Sequence, residues 1–357
     1  MKDIEIVEKW FKTFYSIGAD ESGGVTRLGY TKNEDVMHGA IRNIARDLGL
    51  KYSSDEVGNT YIYEEDWKEY YLIGSHLDSV AFGIATVGSG LITHKLDINK
   101  LKEVYNTEGK SLYETLKFKG YKPECSKIKG VKKYFEIHIE QGRRLEDNNL
   151  KIGIVDAIAN ATRYWLTIEG RQDHSGAAPM GMRKDALCAG AEIVLQLERL
   201  AGRESKYKSV GTVGFLQNYP NAFNVVPGKV RMGIDIRGVD WESIQRIDNE
   251  IVEYIEKLCK IRELKYNLDL VAKGRPVILD ENLKSELESV TQKLGIDYMV
   301  MNSGAGHDAM KFYDIAPTGM VFIPCKEGIS HNIAEEIEKD DIILVSKIIF
   351  EYLKNRI

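Results

Sequence analysis

Between Arg163 and Ala272 the spacing of apolar residues switches repeatedly between two periods, and the order of the switches limits the folds open to this chain. Arg163 to Gly170 alternates as a strand does, and Arg183 to Ala201 repeats at helical spacing. Ser209 to Gln217 and Lys229 to Arg237 alternate again. Asp240 then opens a helix whose stripe is Ile244, Ile247, Ile251, Ile255 and Leu258, and Leu264 to Ala272 returns to strand. A β-α-β-β-α-β succession is that of a split ferredoxin-like unit. It lies between stretches of different character. The sequence therefore predicts an inserted domain over 161–276 and a second domain built from 1–160 and 277–357, in a chain long enough for both.

The outer stretches read as α/β. Ile4, Val7, Phe11 and Phe14 predict a first helix that Gly18 can end. A second runs from Asn33 to Leu48, with Val36, Ala40, Ile44 and Leu48 inward and Gly49 at its end. After the turn Asp55-Glu56-Val57-Gly58-Asn59, strands are expected at Thr60 to Tyr63 and Tyr70 to Ile73. The latter delivers Gly74-Ser75-His76-Leu77-Asp78-Ser79-Val80 to its carboxyl end, where ligands collect in open α/β sheets. His76 and Asp78 share a face, so the carboxylate can orient the imidazole. A parallel strand needs a long crossover, yet Ala81 to Gly90 is glycine-rich and too short to supply it. Helical patterning returns at Ile98 to Val104 and Ser111 to Phe118. Tyr134 to Glu140 reads as a strand ending in His138-Ile139-Glu140-Gln141-Gly142. The chain closes with a helix from Glu281 to Leu294, short strands near Met299 and Met320, and a helix from about Lys339.

Composition narrows the function classes. A net charge of −5 without a basic block argues against a nucleic-acid partner. No apolar run has the length that crosses a bilayer, so no membrane partner is expected. The start, Met1-Lys2-Asp3-Ile4-Glu5, lacks the apolar core of a signal peptide. Four scattered cysteines without a C-x-x-C pair fit a reducing cytoplasm. Five of the seven histidines sit in polar clusters at the ends of apolar segments. These are Gly74 to Asp78, His138 to Gly142, Asp173-His174-Ser175-Gly176-Ala177-Ala178-Pro179-Met180, Ser303-Gly304-Ala305-Gly306-His307-Asp308-Ala309, and Gly328-Ile329-Ser330-His331-Asn332. Any one alone reads more readily as a capped turn or a satisfied core histidine. Together, imidazoles beside carboxylates suit zinc, manganese, cobalt or nickel. Spacing goes no further than a histidine-rich cleft that can bind metal.

In this order the clusters resemble those of hydantoinase/carbamoylase-type amidases, within the wider clan of dinuclear-metal aminoacylases and carboxypeptidases. Arg27-Leu28-Gly29-Tyr30, Asn224-Val225-Val226-Pro227-Gly228 and Asp235-Ile236-Arg237 match as well. The resemblance implies an α/β metal-hydrolase domain with a mixed central sheet flanked by helices, plus an inserted ferredoxin-like α+β domain for dimerisation. It implies cleavage of a linear amide or ureido C–N bond next to a carboxylate in a small-molecule substrate, of the allantoate or N-carbamoyl amino acid type. By resemblance, His76 and His138 are ligands of a first divalent metal, with Asp78 orienting His76, and His331 is a ligand of a second. His174 corresponds to the histidine that reaches the partner subunit's site in a homodimer and polarises the scissile carbonyl. Asn224 and Arg237 correspond to residues holding the substrate carboxylate, and Gln141 and His307 to residues lining the same pocket. For Gln141 the alternative is a turn hydrogen bond, for His307 a satisfied core position, and for Arg237 a surface ion pair.

One departure from the family pattern is large. The family follows its His-x-Asp strand with a loop whose Asp bridges two metals, then a helix, then a strand ending in Glu-Glu-Gly that carries the general base and a ligand of the second metal. Here Val80 leads within two residues to Phe82-Gly83-Ile84-Ala85-Thr86-Val87-Gly88-Ser89, which resembles the family's stretch just after Glu-Glu-Gly. From Ser79 to Leu96 there is no Asp or Glu at all. Without a bridging carboxylate, nothing shared offsets the repulsion of two cations, so one ion or none is expected rather than two. Glu140 is the candidate substitute carboxylate. The alternative reading is a non-catalytic relative that keeps the carboxylate pocket as a binding protein or inactive partner subunit. A third is a deletion product that folds poorly.

Overall fold

The computed structural model describes residues 2–79, 82–354 and 356. Val80 and Ala81, where the segment with the bridging Asp and general-base Glu is expected to be missing, lie outside the described residues. The first elements are α1 (Lys2–Ser16), α2 (Lys32–Asp47), β1 (Lys51–Ser54), β2 (Thr60–Tyr63), β3 (Tyr70–Gly74), α3 (Val87–Ile92), α4 (Ile98–Leu101) and α5 (Leu112–Phe118). They continue with β4 (Val131–Ile139), α6 (Arg144–Asp147), β5 (Ile152–Ile158), β6 (Asn160–Glu169), β7 (Asp173–His174), α7 (Ala186–Arg203), β8 (Val210–Tyr219), β9 (Val225–Val226) and β10 (Lys229–Gly238). The chain ends with α8 (Trp241–Ile261), β11 (Lys265–Lys273), β12 (Val277–Ile278), α9 (Glu281–Lys293), β13 (Tyr298–Ser303), α10 (Ala309–Phe312), β14 (Thr318–Ile323) and α11 (Lys339–Leu353).

The residues divide into two compact units. One comprises Met1–Asp156, Leu279–Met301 and His307–Ile357; the other comprises Ala157–Ile278 and Asn302–Gly306. The larger sheet has the order β12-β5-β14-β4-β3, with β13 pairing β5. Strands β3 and β14 flank β4 and run parallel to it, whereas β14 and β12 are antiparallel to β5. This is a mixed central sheet with helices against it. Every residue of β14 is buried, which is why its sequence is a continuous apolar run rather than an alternation. Phe135, Ile154 and Val321 pack with Leu283 and Leu287 of α9 and with Ile348 and Tyr352 of α11. Tyr134 and Phe312 stack with ring centroids 4.0 Å apart. Among the described residues the sheet order ends at β3, where Ile73 remains 47% exposed.

Several local expectations are corrected. In α2 the buried residues are Met37 and Ala45, while Val36 and Leu48 are exposed. An i, i+4 ladder of four residues winds around the helix and leaves the face that packs. The glycine-rich stretch after residue 81 is not all loop, because α3 occupies part of it. A Cβ at Gly88 would meet Asn59 Oδ1 at 2.1 Å, so the glycine permits a close approach in a helix buried over Ser89 to Ile92. Strands β1 and β5 were not anticipated. The first is fully exposed and polar, and the second is apolar on both faces without alternation.

In the other unit β6, α7, β8, β10, α8 and β11 follow one another, and the sheet order is β11-β6-β10-β8 with every pairing antiparallel. All five predicted stripe residues of α8 are buried, with Ile193 and Leu197 of α7 and Val230, Met232, Ile234 and Ile236 of β10. Asp240 caps α8 by accepting from the Ser243 N–H at 2.7 Å. Alternation in β10 turns Val230, Met232, Ile234 and Ile236 toward the helices, so Asp235 and Arg237 stand on the opposite face.

Candidate functional site

Three imidazoles gather at the carboxyl ends of β3 and β4. His76 follows β3, and His138 is the penultimate residue of β4. Their rings stack at 21° with centroids 5.7 Å apart. His307 meets His138 edge to face at 4.7 Å. In both His76 and His138 the Nδ1 lies on a backbone carbonyl, Asp78 O at 3.1 Å and Ile139 O at 2.8 Å. A carbonyl only accepts, so Nδ1 carries the proton and Nε2 the lone pair, the tautomer of a metal ligand. Burial, and then the neighbouring His76, hold His138 below the usual imidazole range, which keeps it neutral. His307 is pushed down to about 3, by burial first and then by His138 and His76.

Behind these rings lies a buried polar network that sequence reading missed. The Ala309 N–H donates to Glu136 Oε2 at 2.7 Å, and His307 Nδ1 stands 3.8 Å from Glu136 Oε1. Burial, reinforced by Asp308, lifts the Glu136 carboxyl to about 8. Ser89 Oγ donates to Asp308 Oδ1. The missed signal was parity: Tyr134, Glu136 and His138 are alternate residues of one strand and share a face.

Of the neighbouring carboxylates, Asp78 stays beside His76, while Glu140 and Glu335 serve backbone and hydroxyl donors. Asp78 lies 4.0 Å from His76 Nδ1, and burial raises its pKa against the lowering effect of His76. Glu140 caps α6, accepting from the N–H groups of Arg144 at 2.9 Å and Leu145 at 2.8 Å. That geometry removes it as the substitute carboxylate, because both its oxygens serve the helix start. Glu335 accepts from Ser330 Oγ at 2.8 Å and from the His331 N–H at 3.0 Å. Gln141 donates to Ser330 Oγ at 2.9 Å, a bond between two distant stretches of the chain. His331 itself is exposed, with φ of 56°.

The donor set decides what ion the site can hold. Among the described residues, no group of three or more His, Cys, Asp or Glu could hold a metal ion. His76 and His138 present two nitrogen lone pairs side by side, and among the described residues no further donor completes a site. The residues present do not fit the family's pair of ions.

The other unit carries the remaining predicted residues. In the β7–β9 pair, His174 stands opposite Val225. The Gly176 N–H donates to His174 Nδ1 at 3.1 Å, so the proton lies on Nε2, the reverse of His76 and His138. The Ser175 N–H donates to Asn224 O at 3.0 Å and Arg183 Nε to Ala178 O at 3.0 Å, which ties the His174 and Asn224 loops together. Arg237 donates from Nε and Nη2 to the two oxygens of Asp235 at 2.6 and 3.0 Å, and from Nη1 to Gly304 O at 3.4 Å. This ion pair raises the guanidinium pKa. Burial works to raise Asp235, but Arg237 and Arg163 outweigh it and lower it overall. The bidentate pair takes the Nε–Nη2 edge of the fork, and Nη1 turns to Gly304 O.

Known proteins resemble the chain over nearly its whole length. It is 30% identical to an N-carbamoyl-L-amino-acid amidohydrolase of Pseudomonas sp. over 388 positions, covering 94% of this chain and 94% of that one. It is 30% identical to an allantoate amidohydrolase of Escherichia coli over 388 positions, covering 95% and 94%. Both alignments are longer than the 357 residues of the chain, so parts of each relative face gaps here. The crystal structure of a hydantoinase/carbamoylase family amidase from Burkholderia multivorans superposes with a TM-score of 0.89 at 25% identity, covering 99% of this chain and 97% of that one. The profile of Peptidase family M20/M25/M40 matches residues 108–355, the stretch that carries His138, His174, Arg237 and His307. With that match and these near full-length relatives, the chain belongs to peptidase family M20/M25/M40.

Proposed function

We propose that the chain is an amidohydrolase that cleaves a linear amide or ureido C–N bond next to a carboxylate, in a substrate of the allantoate or N-carbamoyl amino acid type. The observation that carries this reading is the near full-length likeness to two relatives named for those reactions. The site chemistry supports it. His76 and His138 present Nε2 lone pairs for a divalent ion, which when bound supplies Lewis-acid activation of water. His174 presents an Nε2–H suited to donate to a developing oxyanion, acting from one protomer on its partner in a homodimer joined through residues 161–276. Arg237 and Asn224 hold the substrate carboxylate, with Gln141 beside the ion. A reducing cytoplasm is the proposed compartment.

A second reading has its own support. The absence of any carboxylate from Ser79 to Leu96, and the gaps the relatives require, favour a non-catalytic relative that binds the carboxylate without turnover. The two readings part on ammonia release from allantoate, N-carbamoyl amino acids and ureidoglycolate, with Mn, Co, Ni and Zn added separately. The amidohydrolase reading expects release from one substrate class with at least one metal. Saturable binding without release from any of them overturns it in favour of the second.

A further inference from the structure

We propose that Arg183 is a positioning residue for His174, holding the one peptide unit whose N–H fixes the tautomer and aim of that imidazole. The inference rests on the hydrolase reading only for the oxyanion that His174 serves. The Gly176 N–H that donates to His174 Nδ1 at 3.1 Å belongs to the same peptide unit as the Ser175 carbonyl. That carbonyl accepts from Arg183 Nη2 at 2.5 Å. In a planar trans peptide the C=O and N–H point in opposite directions. A guanidinium that fixes the carbonyl therefore fixes the direction of the N–H. Arg183 and His174 hold the two ends of one rigid plate.

The rest of the turn leaves that plate little freedom. On one side of it the Ser175 N–H donates to Asn224 O at 3.0 Å. On the other, His174 O accepts from the N–H groups of Ala177 at 3.1 Å and Ala178 at 3.0 Å. Arg183 Nε then donates to the Ala178 carbonyl at 3.0 Å. One guanidinium thus spans two carbonyls of the same turn, which its planar fork can do and the point charge of a lysine cannot. All of these groups lie within the stretch Ala157–Ile278, inside one compact unit.

Two further observations favour positioning over simple support of the loop. Arg183 is half-buried, and among the described residues no carboxylate pairs with it, so its charge bears on the carbonyls of the His174 turn. A charged donor at the Ser175 carbonyl polarises that peptide and strengthens the bond its N–H makes to Nδ1. His174 itself is exposed, and its Nε2 has no acceptor among the described residues, so the proton held there is open to an arriving group. Without Arg183 the plate can turn and Nδ1 loses its donor. The Nδ1–H tautomer then becomes accessible, and it presents a lone pair at Nε2 where the reaction needs a donor.

The test is ¹⁵N magnetic resonance of the full-length protein labelled at histidine, with the His174 ring signals assigned by their loss in His174→Ala. Wild type is expected to show one tautomer, protonated at Nε2. Arg183→Ala is expected to show the Nδ1–H form as well, and to return to the single tautomer when methylguanidinium is added. Its kcat should fall roughly tenfold or more with KM little changed, the mark of a misaimed group rather than a lost binding contact. Thermal unfolding checks that the variant is folded. In case it is not, Arg183→Lys carries the test, since an ammonium reaches one carbonyl only and should also admit the Nδ1–H form. An Nδ1–H form already present in wild type, an unchanged spectrum in the variants, no return with methylguanidinium, or a rise in KM alone each overturns the proposal. A tautomer change in a chain whose wild type releases no ammonia removes the hydrolase reading and leaves this inference standing. Ammonia release by wild type with an unchanged tautomer in the variants does the reverse.

Discussion

Gly176 donates its N–H to Nδ1 of His174 at 3.1 Å, which fixes the proton of that imidazole on Nε2. His76 and His138 are fixed in the opposite tautomer by backbone carbonyls. One residue type thus presents an Nε2–H in one unit and Nε2 lone pairs in the other, and the backbone selects between them.

That tautomer sets the expected behaviour of His174→Ala. Loss of a donor to a developing oxyanion costs about 10²–10³ in kcat. Metal content should not change, because His174 offers no lone pair at Nε2. Steady-state kinetics with metal analysis checks both, and equal loss of metal and turnover would refute the donor role.

Arg237→Ala should raise KM for carboxylate substrates roughly tenfold or more, since a charge-assisted contact contributes about 1.5–3 kcal/mol. Asp235 keeps Arg163, which donates to it at 2.6 Å, so the fold should hold. An unchanged KM would leave Arg237 as an ion pair alone.

Glu34 gives a pH dependence with a definite sign. It accepts the Tyr30 N–H and is pushed up to about 7, by burial first, with Asp78 adding to the rise. Because the folded value exceeds the unfolded one of about 4.5, the protonated form stabilises the fold at low pH. That contribution is lost as pH rises from about 4.5 through 7. Glu34→Gln keeps the acceptor and should recover up to about 3 kcal/mol at pH 8 while changing little at pH 4.5. His38, lowered by burial, acts in the opposite sense below its usual 6.5, so wild type and variant must be compared at each pH. Denaturant unfolding at pH 5 and 8 checks it, and parallel curves would contradict it.

Glu140→Ala should lower stability by about 1 kcal/mol, the usual worth of a helix cap. Metal affinity should stay unchanged. A folded variant with full stability and at least a 10²-fold loss in kcat would instead mark Glu140 as a base.

Much of this was legible in the sequence where packing repeats a simple period. The α8 stripe and the alternation that exposes Arg237 were both readable because one face of each element meets the core. Glu136 escaped notice although it shares a strand face with His138, because a glutamate in an apolar run carries no sign that it will be buried. The helix α3 was hidden by its glycines, which serve close contact, Gly88 with Asn59 and Gly90 with Leu96, rather than a turn. The inward side of α2 was misread because an i, i+4 ladder winds around the helix, leaving Val36 and Leu48 exposed. That no Asp or Glu stands from Ser79 to Leu96 was visible at once, but the engagement of Glu140 with α6 needed coordinates.

The central claim is that this chain keeps the imidazole half of its family's metal centre without the carboxylate half. Anomalous diffraction at the absorption edge of the bound metal tests it most directly. A single peak about 2.0–2.1 Å from Nε2 of His76 and of His138 is predicted. A pair of peaks about 3.5–4 Å apart, one of them on His331, would contradict it.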